Sequence, residues 1–130
     1  MSVGLVLVSH SEEMAEGLRE VLAELAGEVP VAVAAGGAGG ALGTNALAIV
    51  AAVESLAGVT GVAVLVDLGS AVLSAETALE QLEPALAARV RLADAPFVEG
   101  AAAAARAAAD GAGLVAVVAA AEAAWDASGV

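Results

Sequence analysis

Short aliphatic and β-branched runs alternate along this chain with segments whose apolar residues recur every three or four positions. Val3-Gly4-Leu5-Val6-Leu7-Val8, Val29 to Ala35 and Val62-Ala63-Val64-Leu65-Val66 read as strands. Between them, Met14, Leu18, Val21, Leu22 and Leu25 form one helical face, and Ile49, Val53 and Leu56 another. Val72, Ala75, Leu79, Leu82 and Leu86 predict a third helix that Pro84 kinks or restarts. Strands alternating with helices imply a parallel sheet with right-handed crossovers. Val29 to Ala35 is uncharged and is expected to be buried on both faces. Arg89 to Ala93 is a short fourth strand with polar alternation, suited to an edge. Phe97 to Ala109 and Leu114 to Trp125 are helices separated by Gly111-Ala112-Gly113. The expected fold is α/β: a single-domain, open, mainly parallel four-stranded sheet over residues 1–130, flanked by helices and closed by a C-terminal helix.

Composition narrows the chemistry. The chain is 61% hydrophobic but only 2% aromatic, so its core must be built from Ala, Val and Leu with close helix-to-sheet approaches. Sixteen acids against four arginines give a net charge of −12, and no lysine is present. That balance argues against nucleic acid and anionic membranes as partners, because phosphate-backbone affinity needs clustered cations. The absence of cysteine excludes disulfides, thiolate nucleophiles and cysteine-based metal sites. Val29 to Val53 carries no charge and is long enough for a membrane span. Its middle, Gly36 to Asn45, has five glycines and two cap formers, which breaks any helix there. The N-terminus lacks the basic region of a signal peptide, so a cytoplasmic location is expected.

In a parallel sheet the loops leaving the C-terminal strand ends share one edge, and three such loops carry functional groups here. The first is Ser9-His10-Ser11, holding the only histidine. His10 is open to four readings: surface residue, general base, nucleophile or metal ligand. A metal would need more ligands than the one neighbouring candidate, Asp67, supplies. A Ser-His-Asp hydrolase could draw on Ser9, Ser11, Ser70 and Asp67, but the chain has no Gly-x-Ser-x-Gly elbow. Asp67 could accept a hydrogen bond from one ring nitrogen and leave the other free to attack. It could equally be a capping or loop carboxylate. Gly69 and Ser70 offer backbone N–H groups and a hydroxyl to an anion, or form an ordinary strand-to-helix turn. The glycine loop fits a dinucleotide fingerprint poorly, since a frame through Gly40 and Gly43 begins at Ala38. Without lysine a Walker A loop is excluded, and the missing partner for ATP phosphates argues against a self-sufficient kinase of either common design.

Four segments together carry a family resemblance: Ser9-His10-Ser11, Gly43-Thr44-Asn45, the block Asp67-Leu68-Gly69-Ser70-Ala71-Val72-Leu73-Ser74-Ala75-Glu76-Thr77-Ala78-Leu79-Glu80, and Ala95-Pro96-Phe97-Val98-Glu99-Gly100-Ala101. The chain resembles the phosphotransferase subunit (DhaM) family of the phosphoenolpyruvate-dependent dihydroxyacetone kinase. The broader relatives are enzyme IIA domains of mannose-type sugar phosphotransferase systems. Their Leu-Phe-Gly-Gly-Ser-Pro-like turn is replaced here by Leu68-Gly69-Ser70-Ala71, which favours the dihydroxyacetone branch. The resemblance implies a phosphohistidine relay, a phosphotransferase component active only with partner subunits and using no cofactor or metal. His10 would take a phosphoryl group on Nε2 from the phosphocarrier HPr and pass it to ADP held by DhaL, with DhaK carrying dihydroxyacetone downstream. It further implies that Asp67 orients the imidazole, that Ser11, Thr44, Gly69 and Ser70 contact the phosphoryl oxygens, and that the chain forms a homodimer. Many members carry fused phosphocarrier domains, so a chain ending at Val130 would need a separate one.

Two alternatives stand beside it: an enzyme IIA domain serving a sugar transporter, and a non-catalytic regulatory or binding module of the same fold. Glu12 and Glu13 lie beside a site that must host a dianion, so their side chains are expected to point away from His10. Trp125 and the C-terminal apolar helix either supply interface surface or simply cover the sheet.

Overall fold

The computed structural model describes residues 2–37, 44–56 and 58–126. Four parallel strands, β1 (Val3–Ser9), β2 (Val31–Ala35), β3 (Gly61–Val66) and β4 (Val90–Leu92), lie in the order β2-β1-β3-β4. The helices are α1 (Glu12–Ala26), α2 (Ala46–Ser55), α3 (Gly69–Gln81), α4 (Pro84–Ala87), α5 (Phe97–Ala109) and α6 (Leu114–Ala123). The α/β expectation and the four-stranded parallel sheet are borne out.

Strand period divides the core into two layers. Val3, Leu5 and Leu7 of β1, with Ala63 and Leu65 of β3, pack under α1, α5 and α6. Val6 and Val8, with Val62 and Val64, pack on the opposite face under α2 and α3. Both central strands are therefore covered on two sides, which is why they read as unbroken apolar runs. β2 is different: it begins at Val31, pairs only with β1, and buries fully only Ala34. The expectation that Val29 to Ala35 is buried on both faces fails because β2 is an edge strand. β4 occupies the other edge, as its polar alternation suggested.

Small residues set how closely the layers approach. α1 buries Ala15, Leu18, Leu22 and Ala26, whereas Met14, Val21 and Leu25 flank that line and stay exposed. The apolar face read from the sequence was thus too wide, because alanine marks the line of closest contact. α5 contributes Ala101, Ala102, Ala104 and Ala105 to the core. Where α5 meets its own entry turn and α6, a Cβ placed on Gly100 would lie 2.7 Å from Ala95 Cβ and 3.3 Å from Ala121 O. Pro84 restarts the chain: α3 stops at Gln81, and α4 begins at the proline. The last helix ends at Ala123, short of Trp125.

Candidate functional site

The strand order reverses direction at β1, whose neighbours β2 and β3 are reached by crossovers to opposite sides. Open α/β sheets place ligands at the C-terminal crevice of such a switch point. β1 and β3 run in register there, with Val8 opposite Val66, so the residues just beyond them meet. The Asp67 N–H donates to Val8 O at 3.1 Å and extends the ladder by one step.

His10 and Asp67 face each other across this crevice. His10 Nδ1 lies 3.0 Å from Asp67 Oδ1, and the His10 backbone N–H donates to Oδ2 at 2.8 Å. Oδ1 also accepts from Leu68 N–H at 2.8 Å, and Oδ2 accepts from the Ser9 hydroxyl at 3.1 Å. Four donors thus occupy both oxygens of a side chain only 4% exposed. Burial is the largest influence on this carboxyl and pushes it up. The His10 N–H, the His10 ring, the Ser9 hydroxyl and the charge on His10 together outweigh it, so Asp67 titrates below its ordinary value of 3.8.

The ionised carboxylate only accepts, so Nδ1 must carry the hydrogen, and the neutral ring presents its lone pair at Nε2. Ser70 Oγ stands 2.8 Å from that nitrogen and donates to it. The His10 side chain is 25% exposed, enough for a reactant to reach it from solvent. Glu12 and Glu13 are exposed in the first turn of α1, and the side chain hydrogen-bonded to Nε2 is Ser70.

The other predicted residues divide. Ser11 is the N-cap of α1, its Oγ accepting from Met14 N–H at 3.2 Å. Gly69 and Ser70 open α3, whose N-cap Leu68 supplies no side-chain acceptor, so the helix N-terminus beside His10 is left to other acceptors. Thr44 is joined to Ser74 of α3 by a 2.7 Å hydroxyl contact. Capping of α2 falls to Asn45, which accepts from Leu47 and Ala48 N–H groups. Ala38, Gly40 and Gly43 of the glycine loop lie outside the described residues. Ser74, which the sequence reading gave no role, partners Thr44, and Ser9, read there only as one of several hydroxyls a triad could use, instead donates to Asp67. A serine ending an otherwise apolar buried strand was the available signal for Ser9.

A cavity of about 440 Å³ borders the crevice, sharing Asp67, Leu68 and Gly69 with it and reaching Leu92, Phe97 and Trp125. Trp125 Nε1 donates to Asp94 O at 2.9 Å, and Asp94 N–H donates to Glu122 at the same distance. The indole therefore fastens the C-terminal helix to the entry of α5 and remains 58% exposed. Among the described residues no three His, Asp or Glu side chains are grouped to hold a metal, and no helix is long and apolar enough to cross a membrane.

Residues 4–119 match the family described as PTS system fructose IIA component. The chain belongs to this family. Among its relatives, the phosphoryl donor subunit DhaM of the PEP-dependent dihydroxyacetone kinase of Escherichia coli K12 is 45% identical over 86% of this chain. That match spans 25% of the relative's own length, so the chain corresponds to about a quarter of the longer DhaM proteins. A DhaM of Listeria innocua, from its PEP-dependent dihydroxyacetone kinase 2, is 44% identical over 79% of this chain and 83% of its own. The crystal structure of a protein of unknown function, EF1359, matches with a TM-score of 0.86 at 32% identity, covering 94% of each chain. The resemblance to DhaM proteins read from the residues is borne out.

Proposed function

We propose that this chain is a phosphohistidine relay subunit of the DhaM type, charged on His10 Nε2 and discharged to a kinase partner. The observation that carries it is the pairing of Asp67 with Nδ1, which leaves the lone pair on Nε2, where it meets the Ser70 hydroxyl on a partly exposed ring at the switch point. Nε2 attacks the phosphorus of the donor's phosphohistidine, a P–N bond forms as the donor's breaks, and Nδ1 keeps its hydrogen on Asp67. The Ser70 hydroxyl, which first donates to Nε2, turns to a phosphoryl oxygen. The N–H groups of Gly69 and Ser70 receive the others, helped by the positive end of α3. Ser11 keeps its hydroxyl hydrogen for the phosphoryl group while capping α1, and Thr44, held by Ser74, completes the pocket. Phosphoryl transfer needs little more than such positioning and charge neutralisation.

HPr is the donor and DhaL-bound ADP the acceptor, with DhaK downstream; the subunit works in the cytoplasm as a homodimer. Incubation with phosphoenolpyruvate, enzyme I and HPr tests the reading. A mass gain of one phosphate that disappears in His10→Ala supports it, and no gain in the wild-type chain refutes it. Discharge by DhaL–ADP against discharge by a sugar-system IIB domain then separates the dihydroxyacetone branch from the sugar branch.

One observation favours a second reading. Ser70, His10 and Asp67 are connected as in a Ser-His-Asp triad, hydroxyl to Nε2 and Nδ1 to carboxylate. In a hydrolase, Ser70 would react with a fluorophosphonate probe, and Ser70→Ala would lose all activity. In the relay, Ser70→Ala still accepts phosphate on His10, at a reduced rate.

A further inference from the structure

We propose that Ser9 is a positioning residue that keeps the phosphoryl group on His10 transferable by holding back the basicity of Asp67. The proposal rests on the relay reading above. Among the described residues, Ser9 is the one polar side chain that is fully buried. Its hydroxyl has a single arrangement open to it. Asp67 Oδ2 can only accept, so the Ser9 O–H points at it, and the Ser9 oxygen is left to accept the Ser11 N–H at 3.0 Å. A directed chain results: Ser11 N–H to Ser9 O–H to Asp67, with the His10 Nδ1–H arriving at the same carboxylate from the other side.

The chemical consequence follows from what the ring must do as a leaving group. When the P–Nε2 bond breaks, its electron pair returns to Nε2, the phosphorus joins an acceptor oxygen, and Nδ1 retains its hydrogen, so the imidazole departs neutral. A carboxylate with one donor fewer pulls harder on Nδ1–H and pushes electron density into the ring. That ring holds phosphorus more tightly. The hydroxyl of Ser9 is one of the influences that lower the Asp67 titration, and no solvent can replace it at a fully buried position.

Wild type, Ser9→Ala and Ser9→Thr are compared in two measurements. The first follows the imidazole Nδ1–H by NMR, where the only histidine gives one set of ring signals. In Ser9→Ala the resonance moves downfield and the acid-side inflection it reports for Asp67 moves to higher pH. The second follows the phosphorylated protein, whose phosphohistidine lifetime lengthens and whose discharge slows by about 3-fold in Ser9→Ala. Ser9→Thr, which keeps the hydroxyl, returns both toward wild type. If Ser9→Ala does not fold, Ser9→Cys, a weaker donor, gives the same directions at smaller size. An unmoved resonance with an unchanged lifetime in a folded variant overturns the proposal. So does faster discharge, or a slowing that Ser9→Thr does not reverse. If the wild-type chain takes no phosphate, the relay reading fails, and the resonance alone decides whether Ser9 governs the pair.

Discussion

Asp67 does two jobs at once, holding the imidazole and anchoring the end of β3 to β1 through His10 N–H and Ser9. Asp67→Asn keeps the shape but removes the charge that holds the hydrogen on Nδ1. The ring then has reason to carry its hydrogen on Nε2, which hides the attacking lone pair. Quenched-flow mass spectrometry should show phosphoryl uptake falling on the order of 10²-fold. Stability responds as well. A carboxyl held below 3.8 contributes stabilisation that is complete above the unfolded group's range and lost as pH falls through the lowered folded value. Urea titrations from pH 7 to pH 3 should show the wild-type advantage over Asp67→Asn shrinking toward the acid end. At this scale much was legible: His10, Asp67 and Ser70 were chosen from loop position, and they do touch. Ser9 reads only as one of several hydroxyls a triad could use, because a single hydroxyl at a strand end has no periodicity to reveal which way it points.

Among the elements, strand and helix identities followed from period, while edges and interfaces did not. β2 is as apolar as a central strand, and only the sheet order shows that one of its sides is unpaired. The true packing line of α1 has an alanine at each end, Ala15 and Ala26, which a reading keyed to large residues overlooks. α5 shows what such small residues accomplish, since Gly100 sits where even a methyl group meets Ala95 and Ala121. Gly100→Ala should therefore destabilise by about 1–3 kcal/mol despite its better helix propensity, seen as a lower urea midpoint. Gly36, which follows β2 at φ 78° and donates to Ser9 O at 3.1 Å, is the matching case for backbone conformation. Its replacement by alanine forces a left-handed conformation onto a residue with a Cβ, at about 1 kcal/mol or more, and the same titration measures it.

For the whole molecule, charge is the term that local structure leaves unbalanced. Sixteen acids face four arginines, and among the described residues the one arginine–carboxylate pair within 4 Å is Arg19 with Glu16, at 2.7 Å on the surface of α1. Self-repulsion of this size is screened by salt. The melting temperature should rise as sodium chloride increases from about 10 mM to about 200 mM, and a flat or falling profile would contradict this. The β1–β3 register has a consequence in time. His10 and its carboxylate are 57 positions apart and meet only because two central strands pair. During synthesis the histidine leaves the ribosome long before Asp67, so the nascent chain passes through a stage in which the imidazole is present but undirected. Competence arrives with β3, in one step.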